Sequence, residues 1–256
     1  MAERDGEAWW RRRWVIGVAA GLIGLWVGTS ATSSPAAVPA PQVTQTVSVA
    51  VTVTQTLEEP SPAPQGGALA VLRSLPMKGR APKTGYDRAE FGQRWHDLDR
   101  NGCDTRNDIL RRDLEAVELK PGTRDCVVLS GVLQDPYTGT RISFERGNAT
   151  SGAVQIDHVV ALGDAWQKGA QPLSLEQRQA FANDPLNLLA VDGSSNASKG
   201  DGDAATWLPA NKGYRCAYVA RQVAVKAKYS LWVTEPESAA IERVLSGCPA
   251  EPVPTG

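Results

Sequence analysis

Gln155-Ile156-Asp157-His158-Val159-Val160 is the stretch whose reading decides the rest of the chain. An Asp-His pair at the end of a short apolar run offers a carboxylate to a cation and, beside it, an imidazole to a water molecule. Imidazole, with an unperturbed pKa of about 6.5, suits proton abstraction near neutral pH. Two segments further on supply companions: Asn187-Leu188-Leu189-Ala190-Val191 and Asn196-Ala197-Ser198-Lys199. Asp157 and the amide oxygen of Asn196 are hard oxygen ligands, which favour Mg²⁺, Mn²⁺ or Ca²⁺ over a thiolate-seeking metal. Lys199 adds a positive charge for an anion.

At these residues the chain resembles the HNH, or ββα-metal, endonuclease superfamily. There an Asp-His pair ends a first strand, an Asn opens a second, and an Asn or His early in the next helix completes a metal site. The matching positions are Asp157-His158, Asn187 and Asn196, with Lys199 three residues on. The interval from Asn187 to Asn196, followed by Lys199-Gly200-Asp201, is similar to the HNH domain of RNA-guided CRISPR nucleases. A wider likeness, from about Gly85 to Cys248, is to secreted or membrane-anchored HNH family proteins of actinobacteria. It is carried by Asn101-Gly102-Cys103-Asp104-Thr105-Arg106-Asn107-Asp108, Trp207-Leu208-Pro209 and Tyr214-Arg215-Cys216-Ala217-Tyr218-Val219.

The resemblance implies an α+β fold: a ββα-metal (His-Me finger) core over residues 154–201, elaborated by several helices and an extra β-hairpin. It implies hydrolysis of nucleic acid, DNA in the first place. Asp157 and Asn196 would hold one divalent cation, Mg²⁺ before Mn²⁺ or Ca²⁺. His158 would be the general base, Lys199 would assist at the phosphate, and Asn187 would orient His158 from behind. No protein partner is implied.

Working outward, residues 1–30 carry Arg11-Arg12-Arg13 and then an apolar run from Trp14 to Val27, the pattern of a signal peptide or signal anchor. Positive charge stays inside, so the remainder is expected outside, free or tethered to the membrane. Residues 31–67, rich in Ser, Thr, Ala, Val, Pro and Gln, read as a disordered low-complexity linker. Residues 68–256 are long enough for a substantial core. The chain's 27 basic and 28 acidic side chains give a net charge of −1, which counts against a strongly basic, processive nucleic-acid binder.

All four cysteines lie in the exported part, without a C-x-x-C pair, which argues against a zinc ribbon and for two disulfides. Of three pairings, Cys103 with Cys126 and Cys216 with Cys248 is preferred, because each pair brackets one local unit. Periodicity predicts helices over 86–97, 107–117, 161–168, 174–183, 214–231 and 236–245, and strands over 127–133, 141–145, 154–157 and 188–191. Asn196 is expected on or just before the motif helix.

Asp97-Leu98-Asp99-Arg100-Asn101-Gly102, with Asp108 in twelfth place, fits the oxygen positions and glycine of an EF-hand loop, but has Asp for the final Glu and Asp104 in eighth place. Three readings compete: a Ca²⁺ site, an adjunct in which Arg106 meets phosphate, and a capped turn entering the next helix, which the sequence favours. Trp95, Trp166, Trp207 and Trp232 read as core rather than as base-stacking platforms, and His96 as a helix-end histidine. Lys226, Lys228 and Arg221 read either as a phosphate-tracking face or as a solvated one. The alternatives to a nuclease are a membrane-tethered cell-surface binding module, calcium-stabilised and with an inactive HNH site, and a calcium-dependent polysaccharide binder.

Overall fold

The computed structural model describes residues 67–255. The leader expected over residues 1–30 and the linker expected over 31–67, apart from Gly67, lie outside that range. The described residues form a mixed α+β fold with two small sheets and seven α-helices. Helix α1 (Ala68–Ser74) leads through a long irregular stretch to α2 (Thr105–Asp113). Strands β1 (Leu114–Leu119), β2 (Val128–Gln134) and β3 (Arg141–Glu145) follow as an antiparallel meander. Strand β4 (Val154–His158), helices α3 (Leu162–Ala165) and α4 (Leu175–Asn183), strand β5 (Leu188–Asp192) and helix α5 (Gly193–Lys199) come next. Helices α6 (Arg215–Lys228) and α7 (Glu235–Leu245) close the chain.

β4 and β5 pair antiparallel, with Asp157 opposite Leu189 and His158 opposite Leu188. β5 is buried on both faces. Leu188 and Ala190 join Val154, Ile156, Ile109 and Phe144 in one core, while Leu189 and Val191 join Tyr137, Tyr218 and Val223 in another. Period-2 alternation delivers side chains to both sides of a strand, so an uninterrupted apolar run suits this position. Each fully buried Leu or Val contributes about 1.5–3 kcal/mol. The free edge of β5 is closed by side chains: Asp113 accepts from the Ala190 N–H at 2.8 Å, and Arg112 donates to the Leu188 carbonyl at 2.7 Å.

α5 begins where the Asp192 side chain accepts from the Ser195 N–H, and ends at Gly200, whose φ of 52° is readily adopted by glycine. Gly193 is required by packing, since a Cβ there would lie 2.0 Å from the Gly152 carbonyl oxygen. α4 and α7 both carry capping boxes, Ser174 with Gln177 and Thr234 with Glu237.

The disulfides are Cys103–Cys126 and Cys216–Cys248, the preferred pairing. Chain-entropy arguments assign each closed loop roughly 3–4 kcal/mol. Two predicted helices are corrected. Residues 86–97 hold only a 3-10 turn, Arg88–Phe91, because the chain turns at Gly92 (φ 72°) and again at Trp95 (φ 56°). The helix expected over 107–117 stops at Asp113, and residues from Leu114 pair with β2, which makes the expected hairpin a three-stranded sheet.

A second polar feature lies in the interior. Lys168, Lys226, Asp164, Asp203 and Glu237 are all buried. Lys168 Nζ is 2.7 Å from Asp164, 2.7 Å from Asp203 and 2.6 Å from Glu237. Lys226 Nζ reaches Glu237 at 3.0 Å, and Arg80 bridges Asp164 and Asp203 at 2.9 and 2.6 Å. Lys226 is therefore no part of a phosphate-tracking face, and Lys228 pairs with Asp184 at 2.7 Å.

Candidate active site

The last two residues of β4 place a carboxylate and an imidazole side by side. Asp157 is buried; its Oδ1 accepts from Lys199 Nζ at 2.9 Å and its Oδ2 from the Tyr137 hydroxyl at 2.5 Å. Burial pushes the Asp157 carboxyl above its ordinary value, and the Lys199 charge and Tyr137 hydrogen bond only partly oppose it. Lys199 is buried too, and also donates to the His158 carbonyl at 2.8 Å. Its ammonium is thus directed at Asp157 and the β4 backbone.

His158 Nε2 lies 2.8 Å from the Ala182 carbonyl. A carbonyl only accepts, so Nε2 carries the proton and Nδ1 keeps a lone pair. Burial, aided by the charges of Arg88, Lys199 and Arg94, pushes the imidazole down to about 4 against the pull of the Ala182 carbonyl. The ring is therefore neutral at physiological pH. Behind it Asn187, wholly buried, clamps the following turn: its Oδ1 accepts from the Val160 N–H at 2.8 Å, and its backbone carbonyl accepts from the Val159 N–H at 2.8 Å.

Asn196, in the middle of α5, donates through Nδ2 to Gln155 Oε1 at 2.8 Å, which leaves Oδ1 as an oxygen donor. Asp157, His158 and Asn196 line one cavity of about 180 Å³ together with Arg88, Gly200 and Asp201. A carboxylate has about four lone-pair positions, and Asp157 uses two. One carboxylate and one amide oxygen on a common wall fit a hard divalent cation that keeps several waters.

The EF-hand-like loop is held by hydrogen bonds of its own acidic side chains. Asp97 accepts from the N–H groups of Asn101 and Gly102, Asp99 accepts from Asn101, and Asp104 caps α2 by accepting from the Asn107 N–H at 2.9 Å. Among the described residues, no three acidic side chains of the loop bring ligand oxygens within 4.8 Å of one another. The Asp104 cap at the start of α2 is the feature the capped-turn reading expects. Arg106 rests over the Phe144 ring.

Sequence reasoning missed three residues around His158. Tyr137, 20 residues upstream, carried no signal that it would meet Asp157. Arg88 and Trp95, assigned to a helix, instead line cavities with His158. The Trp95 and His158 rings lie 10° from parallel with centroids 6.4 Å apart.

Residues 104–244 match the family model described as the C-terminal domain of GmrSD restriction endonucleases. A protein of Arthroderma benhamiae described as an uncharacterized secreted protein is 35% identical over 183 residues, which cover 71% of this chain and 84% of that protein. No solved structure matches the chain.

Proposed function

We propose that this chain, which belongs to the family of the C-terminal domain of GmrSD restriction endonucleases, is an exported endonuclease of the ββα-metal (HNH) type that hydrolyses phosphodiester bonds, those of DNA in the first place. The observation that carries the reading is His158: a neutral imidazole, fixed through Nε2 by the Ala182 carbonyl and with Nδ1 unprotonated, on the wall shared with Asp157 and Asn196.

In this reading His158 Nδ1 takes a proton from the attacking water, while the Ala182 carbonyl keeps the ring in the tautomer that can do so. Asn187 holds the Val159-Val160 turn and with it the end of β4. Asp157 and Asn196 would hold one divalent cation, Mg²⁺ before Mn²⁺ or Ca²⁺, which when bound supplies Lewis-acid stabilisation of the charge developing on the phosphate. Lys199 and Tyr137 orient the Asp157 carboxylate, and Arg88 lends its exposed positive charge to the same cavity.

Export is supported by the two disulfides, which persist in oxidising compartments, and by the secreted relative. Among the described residues no helix is long and apolar enough to cross a membrane. In our reading the leader (residues 1–30) and linker (31–67) carry the domain (68–256) across the membrane and, if uncleaved, tether it there; mass spectrometry of the native N-terminus distinguishes free from tethered protein.

The test is incubation of the disulfide-intact chain with supercoiled plasmid in Mg²⁺, Mn²⁺, Ca²⁺ or EDTA, beside His158→Ala. Cleavage should require the metal and fall by about 10²–10⁴-fold in the variant, the usual contribution of a general base. Cleavage by His158→Ala at the wild-type rate refutes the base assignment, and no cleavage by folded wild type under any metal refutes the nuclease.

A further inference from the structure

A second cavity shares His158 with the first. It is lined by Arg88, Phe91, Arg94, Trp95 and Asn183, and encloses about 30 Å³. We propose that it is a subsite for one unpaired nucleotide of the substrate, beside the scissile phosphate, so that the preferred substrate is single-stranded nucleic acid. The inference rests on the nuclease reading of His158.

Three observations converge on that ligand. The first is an acceptor without a donor. Asn183 is 1% exposed, and its Nδ2 is committed to the carbonyls of Gln179 at 2.9 Å and Gln93 at 3.3 Å. Because both partners are carbonyls, the amide orientation is fixed, and Oδ1 is left buried with no hydrogen-bond partner. A buried orphan acceptor costs about 1–3 kcal/mol, and Asn183 lines this cavity, so a ligand whose N–H reached Oδ1 would relieve that cost. The enclosed space is on the scale of a water, so in this proposal the base ring lies across the mouth, against Trp95.

The second observation is the wall at that mouth. Trp95 is half-buried and nearly parallel to the His158 ring. Its backbone has φ 56°, a region that a bulky side chain seldom occupies. The third is charge. Arg88 and Arg94 are exposed, and neither has a carboxylate partner among the described residues. Arg94 lies over the Trp95 ring at 5.6 Å, which puts its charge beside the same cavity. A planar ring with an N–H edge, flanked by anions, is a nucleotide; its edge can enter the cavity only when it is out of a base pair and out of the stack.

Binding of the full chain is measured in EDTA, by fluorescence anisotropy, to three labelled probes: a short single-stranded DNA, the same sequence as a duplex, and an abasic strand of equal length. Wild type should bind the single strand about tenfold more tightly than either of the others, the scale of one base stacked on an aromatic side chain. Trp95→Ala should remove that preference, and Trp95→Phe should retain most of it. Equal binding of single and abasic strands by wild type overturns the subsite, as does a preference that survives Trp95→Ala or a duplex bound as tightly as the single strand. None of these readouts uses cleavage, so metal-dependent cutting by wild type judges the nuclease reading separately.

Discussion

Two buried polar clusters in this molecule treat charge in opposite ways. In the cluster around Lys168, three cations face three carboxylates. Burial alone would depress Lys168, yet Asp164, Glu237 and Asp203 together hold its pKa above the ordinary value. Lys168 and Arg80 likewise outweigh burial at Asp203 and hold its carboxyl below. Both groups are locked in their charged forms. Around His158 burial wins: Asp157 is raised and His158 lowered, both toward neutrality. The first pattern is that of a structural lattice, tying the segment before α2 to α3, α6 and α7. The second favours the uncharged forms, and an unprotonated imidazole is what the proposed general base needs.

The sharpest way to break this contrast is to remove one lysine from each cluster. Lys168→Met leaves Asp164, Asp203 and Glu237 with too few cations in a region closed to solvent. Loss of one partner from a buried ionic network costs about 3–5 kcal/mol, read as a fall in the denaturant midpoint with the slope unchanged. Lys199→Met also strips a buried carboxylate of its cation. Asp157, however, already has a raised pKa and keeps the Tyr137 hydrogen bond, so it can take up a proton instead. The expected stability loss is nearer 1.5–3 kcal/mol, the range for a hydrogen bond to a charged group, accompanied by a loss of cleavage that Lys168→Met shows only through unfolding. Equal stability losses would mean that the two clusters do not differ in kind.

The contrast also shows which features were legible in the sequence. Asp157, Asn187, Asn196 and Lys199 fall on β4, on the approach to β5 and on α5 as expected, because each of these elements is itself specified by local pattern. The disulfides were legible for the same reason: each closes a local unit. β1 was not. Ile109, Leu110, Leu114 and Val117 recur at near-helical spacing, and what turns the chain into a strand is long-range pairing of Leu114 with Leu133 together with the positive φ of Ala116. The Lys168 cluster was equally hidden, since Arg80 and Asp203 lie 123 residues apart and a charged residue read alone is assigned to solvent. Trp95 was read as core, inside a helix expected over 86–97 that Gly92 breaks.

The smallest expected effect is the dependence of stability on pH, and it isolates His158. Its folded pKa of about 4 lies below the ordinary value of 6.5, so between those values the unfolded chain binds a proton that the folded chain refuses. Acidification through this window therefore favours unfolding, and the penalty is absent above about pH 6.5. Asp157 runs the other way: its folded pKa lies above 3.8, so its contribution is present in acid and fades as pH rises. Asp157 is common to wild type and His158→Ala, so it largely cancels from the difference between them. Measured in EDTA by denaturant midpoint, that difference should move in favour of wild type as pH rises from about 4 to about 6.5 and be flat above. A flat difference throughout would mean that His158 protonates freely in the folded chain. It would then resemble the Lys168 cluster, with its charge accommodated, and the distinction between the two clusters would fail at the residue on which the proposed chemistry depends.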